Sequence, residues 1–579
     1  SGPRETRVLT QPLPGVFVTA SVLGLPQPGG ALATGDLDGD GDVDLVLAGP
    51  SGLFHLDNVG GNANDWLRVR LEGLNVDNQK NNHYGIGSAL EIFAGASYQF
   101  REAAEPVTHL GLGRAGCPEV LRVTWTNGVP QNRLQVCGRQ RIVEEQVLKG
   151  SCPFLYADTP GGTRFVTDLL WGAPLGMPVA EGAWAGADIE ELVAVPGAVA
   201  DAEGRYRLHV TEELWEAAFF DYVRLRVVDH PATVEVASTL RVVPGEVIVD
   251  RAVGTASPRP VAAAWDGTGR DVTARVRHRD EVYADGYPRG IYQGVTPAPW
   301  AFRFDLGEAP AAPIRLVLDG WIFPADASLN LAVAQREATP EPTRLEMRVG
   351  DGWQVLIAKL GHPAGKTKTM VIDTPALPAG VRELRIVSSK WLHWDRVAWS
   401  PSTEDDRLRT VAELAPAAAD LHFRGFSRMY RETPNGPHVY DYSRVTPDSP
   451  WLSLPGRYTR YGDVRELLLA PDDRLVILAP GDELSLTFDA SGLEPPAPGW
   501  TRSVFLESHG WDKDADRNTW QGHRLEPLPF RAQSGYPWAP GESYPDTPEL
   551  RRYREEWLTR EVGPGGRPDA STIVDLRHD

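Results

Sequence analysis

The sequence predicts an all-β protein, a string of β-sandwich and jelly-roll domains behind a small acidic-loop unit, with one short C-terminal helix. Three observations carry that expectation. Proline (49) and glycine (58) are frequent and spread along all 579 residues, which suits short strands joined by turns better than long helices. Apolar and polar residues alternate in run after run, as in LRVRLEG, VLRVTWTNG and YVRLRVVDH, the period of a half-buried strand. The length exceeds what one core can fill, and about 150 residues per domain gives roughly four domains.

Taken in order, residues 1–62 hold ALATGDLDGDGDVDLVLAGPSGLFHLD (31–57), which reads as strand, acidic loop, strand, turn, strand, with Leu45 and Leu47 in a short buried strand. Residues 63–147 form a second β domain of alternating runs. Residues 148–285 form a third, opened by the hairpin FLYADTPGGTRFVTD around a Pro-Gly-Gly turn. Residues 286–402 have the strand number and spacing of a jelly roll, and the acidic PSTEDD after them reads as a linker. Residues 403–579 contain RLVILAPGDELSLTF, read as a hairpin around Pro-Gly-Asp. They also contain the best helix signal: Thr547 as cap, Pro548 in the first turn, Leu550, Tyr553, Trp557 and Leu558 on one face, and a stop at Gly563-Pro564-Gly565-Gly566. No internal repeat is evident.

The acidic loop carries the chemistry. Asp36, Asp38, Asp40, Asp42 and Asp44 alternate around Gly39 and Gly41. Carboxylates at every second residue of a curling loop converge on one point, and calcium takes six to eight oxygens at about 2.3–2.6 Å. Adjacent carboxylates about 5 Å apart repel by roughly 1 kcal/mol per pair even in water, so their density implies a cation. Asp42 is expected to offer its backbone carbonyl with its side chain turned outward. An EF-hand is excluded, because its twelfth position would be Leu47, inside a strand.

On these residues the chain resembles a family. ALATGDLDGDGDVDLVLAG is similar to an FG-GAP/VCBS repeat, the calcium-loop unit of integrin-type β-propellers. NNHYGIGSALEIFAG, THLGLG (108–113) and VTWTNGVPQ (123–131) resemble, in order, an ASPIC/UnbV domain. The resemblance covers about residues 31–135 and runs more loosely through KGSCPFLYADTPGGTRFVTDLLWGAPLG. It implies a secreted, cartilage-acidic-protein-like bacterial protein, with the loop aspartates as Ca2+ ligands. One unit stands where a propeller has several blades, so the chain is either trimmed from a longer precursor or packs this unit differently.

A second run, Asp512, Asp514, Asp516 and Asn518, repeats the alternation without the glycine and with two basic neighbours. It is a second candidate calcium site, or a surface turn of internal ion pairs. Trp321, Trp353, Trp391 and Trp394 could stack sugars or fill the jelly-roll core; in the run WLHW, Trp391 and His393 share one strand face and Leu392 and Trp394 the other, so at least one tryptophan is expected inside. Cys117, Cys137 and Cys152 admit one disulfide in an exported protein, or buried thiols. The net charge of -20 opposes nucleic-acid binding, and no apolar run approaches the ~20 residues of a membrane span. Nucleophile-elbow, zincin, P-loop and dinucleotide motifs are absent, and Ser508, His509 and Asp512 imitate a triad only in composition. The expected function is a non-catalytic extracellular or cell-surface scaffold that binds a glycan or protein, or assembles with itself. The alternatives are a calcium-dependent enzyme acting on extracellular polysaccharide, and a structural subunit of a surface filament or large complex.

Overall fold

The computed structural model describes residues 6–13, 16–23, 31–49, 52–73, 82–94, 97–114, 116–126, 130–134, 136–146, 153–290, 292, 294–336, 340–401, 403, 408–447, 451, 453–516 and 518–563. The fold is all-β. Among the described residues the α-helices are Ala327–Ala334 and Pro548–Glu556, and no helix is long and apolar enough to cross a membrane. The chain divides into two compact units, the smaller made of residues 1–72, 83–123 and 133–145.

In the smaller unit Ala31–Gly35, Asp44–Gly49 and Gly52–Leu56 form a three-stranded antiparallel sheet. Leu45 and Leu47 are half-buried and not core residues, since only Asp44 of that strand is fully enclosed. Strand Asp65–Glu72 lies between Val107–Gly113, antiparallel to it, and Gln140–Glu145, parallel to it. Alternation along it puts Leu67, Val69 and Leu71 inside. Most of the two segments expected as separate domains, 1–62 and 63–147, falls in this one compact unit. Cys117 pairs with Cys137; Cys152 lies outside the described residues.

The larger unit departs from the expected string of domains. Strand Arg205–Thr211 pairs with Asp482–Asp489, and strand Glu216–Pro231 pairs along its length with Trp500–Asp514. Residues expected as a third and a fifth domain thus build one sandwich of a six-stranded and a five-stranded sheet. Leu208, Phe219, Val223, Leu484, Leu506 and Trp511 are in its core. The jelly roll is inserted into this host between its strands. Its four-stranded and five-stranded sheets begin with Arg259–Pro260 and Ala263–Trp265, upstream of the boundary expected at 286. The run RLVILAPGDELSLTF is not a hairpin: Val476–Leu478 joins Glu216–Pro231 in one sheet and Asp482–Asp489 belongs to the other. Its Pro-Gly turn carries the chain across the sandwich.

The C-terminal helix matches its signal. Thr547 Oγ1 accepts the Leu550 N–H at 3.2 Å, and Leu550, Tyr553, Trp557 and Leu558 all enter the host core. The helix ends at Glu556, before residues 564–566, which lie outside the described residues. The second helix, Ala327–Ala334, carries no amphipathic stripe and was not anticipated; Asp326 caps it by accepting the Leu329 N–H at 2.7 Å.

One local device occurs in both sandwiches. In the host, Asp221 is an extra residue bulged out of Glu216–Pro231, with Gly510 opposite Phe220. In the jelly roll, Asp395 is bulged out of Leu392–Ser400, with Gly320 opposite Trp394. A Cβ on either glycine would stand 2.2–2.4 Å from a carbonyl oxygen across the ladder. Each aspartate accepts two consecutive backbone N–H groups of a turn, Asp472 and Asp473 in the host and Asp280 and Glu281 in the jelly roll, at 2.8–3.1 Å. The second turn residue has a positive φ in both, 67° at Asp473 and 63° at Glu281. Each turn follows a short 3-10 helix opened by Asp-Val (463–464 and 271–272). The internal repeat was missed because only a handful of its residues, far apart in the chain, are fixed by it.

Candidate metal centre

The Asp36–Asp44 loop connects two strands of the three-stranded sheet and packs on the next one. Its tight curl needs Gly41, whose φ is 98° and where a Cβ would stand 1.9 Å from Trp66 Nε1. The loop orders itself through its own carboxylates. Asp36 Oδ1 accepts the Gly39 N–H at 2.7 Å, Asp38 Oδ1 the Asp40 N–H at 3.1 Å, and Asp40 Oδ1 the Asp42 N–H at 3.1 Å. Two side chains anchor it from outside: Arg68 donates to Asp36 Oδ2 at 2.9 Å and Asn62 to Asp40 Oδ2 at 2.6 Å.

The five aspartates take three different roles. Asp36, Asp38 and Asp40 each bring an oxygen within 4.8 Å of the others. Two oxygens on opposite sides of one calcium, each at about 2.4 Å, stand about 4.8 Å apart, so this trio can share one ion. Asp44 is a clamp at the base of the loop. It is 1% exposed and accepts the Leu37 and Asn58 N–H groups, both at 3.0 Å, which hold its carboxyl below the usual carboxylate range. It also groups with His55 and Asp57, although His55 is already engaged by Asp57 at 3.0 Å.

Asp42 overturns its expected orientation. Its side chain points inward, is 6% exposed and lies against Gly61 and Asn58. Among the described residues neither of its carboxylate oxygens makes a well-formed hydrogen bond, the Asn62 backbone N–H being the donor that comes near. Burial, and then the charge of Asp40, push its carboxyl up, while the nearby Asn62 backbone N–H offsets part of the effect. The expected outward turn fails because the backbone N–H of Asp42 is held by Asp40, which leaves its Cβ facing the sheet. A buried carboxylate with so little donation is costly, and a cation held by Asp36, Asp38 and Asp40 beside it would offset that cost. All-oxygen carboxylate ligands are those a hard divalent cation prefers.

The second acidic run lies elsewhere and is organised differently. Asp512 and Asp514 end strand Trp500–Asp514, on the face opposite Lys513. Asp514 Oδ1 accepts from Trp215 Nε1 at 3.1 Å and from the Asp516 N–H at 2.7 Å. Asp516 is 1% exposed and accepts from Ser328 Oγ at 2.8 Å and the Asn518 N–H at 2.8 Å. Asn518 itself donates to Ser328 Oγ at 2.7 Å. The three aspartates of the run are buried, while Asn518 is exposed. Lys513 points into the sandwich, where its ammonium donates to the carbonyls of Leu525 and Glu526 and to Tyr536, and burial lowers it to about 7.

The jelly-roll tryptophans fill the core. Trp321, Trp391 and Trp394 are buried in it, and His393 stacks on Trp321 at 4.0 Å. Trp353 is half-buried beneath Arg385. Both faces of WLHW are enclosed because one packs on the opposite sheet and the other under the segment 283–287. Ser508 and His509 diverge, Ser508 to Glu191 and His509 to Arg531, so no triad forms.

No protein-family model matches the chain, and no curated protein matches it.

Proposed function

We propose that the protein is an extracellular, calcium-stabilised β scaffold that binds a ligand or assembles at the cell surface without catalysis. The observation that carries the reading is the convergence of Asp36, Asp38 and Asp40, whose oxygens lie within 4.8 Å of one another, beside the buried carboxylate of Asp42. In this reading Asp36, Asp38 and Asp40 hold the ion, Asp42 contributes charge from beneath, and Asp44 fixes the loop. The ion would cross-link the loop and supply no reaction chemistry. The Cys117–Cys137 disulfide supports an oxidising compartment. The FG-GAP/VCBS and ASPIC/UnbV resemblance supports the same address and belongs to the proposal.

Calcium titration followed by calorimetry and by thermal unfolding tests it. The wild-type chain should bind the ion and gain stability, and Asp38→Ala should do neither. Equal heats and equal unfolding for both, with and without chelator, would reject the reading. The alternative of an enzyme acting on polysaccharide has one observation in its favour, two interacting carboxylates, Glu281 and Glu432, on a groove of the larger unit. Release of reducing ends from a polysaccharide, lost in Glu432→Gln, would replace the scaffold by the enzyme.

A further inference from the structure

A groove of about 650 Å³ opens on the larger unit. One wall is Gly162–Asp168, the edge strand of the six-stranded host sheet. A second is the hairpin of Phe426–Tyr430 and Val439–Thr446. The jelly roll supplies the third through Glu281, Tyr283 and Thr367. The size is that of a ligand site, and its lining discriminates among ligand classes.

Both signs of charge face it. Glu281 accepts no side-chain hydrogen bond among the described residues, and Glu432 lies close enough to add to the effect of burial in raising its carboxyl. Arg164, exposed on the opposite wall, forms no ion pair among the described residues. Beneath the groove the Lys366 ammonium is fixed over Phe154 and Tyr440, at 5.1 and 5.3 Å, and donates to the His438 carbonyl at 2.8 Å. The Tyr430 ring is 38% exposed, and its hydroxyl donates to Glu432 at 2.9 Å.

An anionic ligand would meet Glu281 and Glu432, and a cationic one would meet Arg164 and Lys366. A purely apolar ligand would strip water from Glu281 and return nothing. A neutral polyhydroxylated ligand satisfies every group: its hydroxyls donate to Glu281, accept from Arg164, and its C–H faces pack on Tyr430. We propose that this groove binds a neutral oligosaccharide, held by Tyr430, Glu281 and Arg164. The site stands apart from the calcium reading, because none of its residues belongs to the unit that carries the acidic loop.

The test is calorimetry of the full chain with neutral hexasaccharides of glucose, mannose, galactose and N-acetylglucosamine. Oligogalacturonate and chitosan oligomers serve as anionic and cationic comparators. At least one neutral hexasaccharide should bind in preference to both comparators. Tyr430→Ala and Glu281→Gln should each weaken it about tenfold, with thermal unfolding unchanged, and chelator should not alter the affinity. Binding of none of the neutral sugars, preference for a charged polymer, or indifference to both substitutions would overturn the assignment. So would binding that requires calcium, since that would place the sugar on the N-terminal loop.

Discussion

The two acidic runs look alike in sequence and do different work. In Asp36–Asp44 the donors to Asp36, Asp38 and Asp40 are the loop's own N–H groups, with Arg68 and Asn62 at the rim. In Asp512–Asn518 the donors arrive from far along the chain: Trp215 reaches Asp514 and Ser328 reaches Asp516. The first run gathers oxygens of Asp36, Asp38 and Asp40 within 4.8 Å of one another, a spacing one cation could bridge. The other is a clasp that ties the helix Ala327–Ala334 and the turn before Glu216 to the end of a core strand. Alternating aspartates therefore do not define a metal site. What separates the two runs among the described residues is convergence: the first brings three carboxylate oxygens within reach of one ion and the second does not.

The largest effect should come from breaking the clasp. Asp516→Ala removes a buried carboxylate that accepts from Ser328 Oγ and the Asn518 N–H and should destabilise the larger unit by about 3 kcal/mol. Thermal unfolding should show that loss to be the same in calcium and in chelator. Calcium at a hundred times its dissociation constant should stabilise the smaller unit by about 2.7 kcal/mol, and Asp38→Ala should abolish that increment in the same experiment. Asp42→Asn keeps the shape and removes the charge. Calcium affinity should fall about tenfold, roughly 1.4 kcal/mol, while the calcium-free form unfolds no earlier than wild type.

The smallest effect concerns buried aspartates that are neither metal ligands nor clasps. Asp221 and Asp395 are pushed up to about 6, chiefly by burial. The charge of Asp473 adds to the shift of Asp221 and Arg531 opposes it, while the N–H groups of Asp280 and Glu281 oppose that of Asp395 and the charge of Asp319 adds to it. Their folded forms hold a proton that the unfolded chain releases near 3.8. This contribution is complete below about pH 4 and is lost as pH rises through about 6. Asp221→Asn and Asp395→Asn retain an oxygen for the two turn N–H groups. Each should be more stable relative to the wild type at pH 7 than at pH 4, as denaturant unfolding at the two pH values would register.

Much of this molecule was legible locally. The acidic loop between strands, the hairpin around Gly162, the cap at Thr547 and the apolar face of the last helix all depend on neighbours a few residues apart. The pairing of Glu216–Pro231 with Trp500–Asp514 was not, because period-two alternation tells which face of a strand is buried and not which strand lies beside it. The same limit hid the insertion of the jelly roll and turned the Pro480-Gly481 crossing into an apparent hairpin. At the site, spacing pointed to all five loop aspartates with Asp44 among the ligands, whereas the fold brings Asp36, Asp38 and Asp40 together and sets Asp44 at the base of the loop. The inward turn of Asp42 required knowing that Asp40 holds its N–H and that Gly61 leaves room beneath it.

Calcium stoichiometry in matched variants tests the central claim most directly. Calorimetric titration of the full chain should give one ion per chain, absent in Asp38→Ala and unchanged in Asp514→Asn. No binding in the wild type, or binding that survives Asp38→Ala and disappears in Asp514→Asn, would contradict the account.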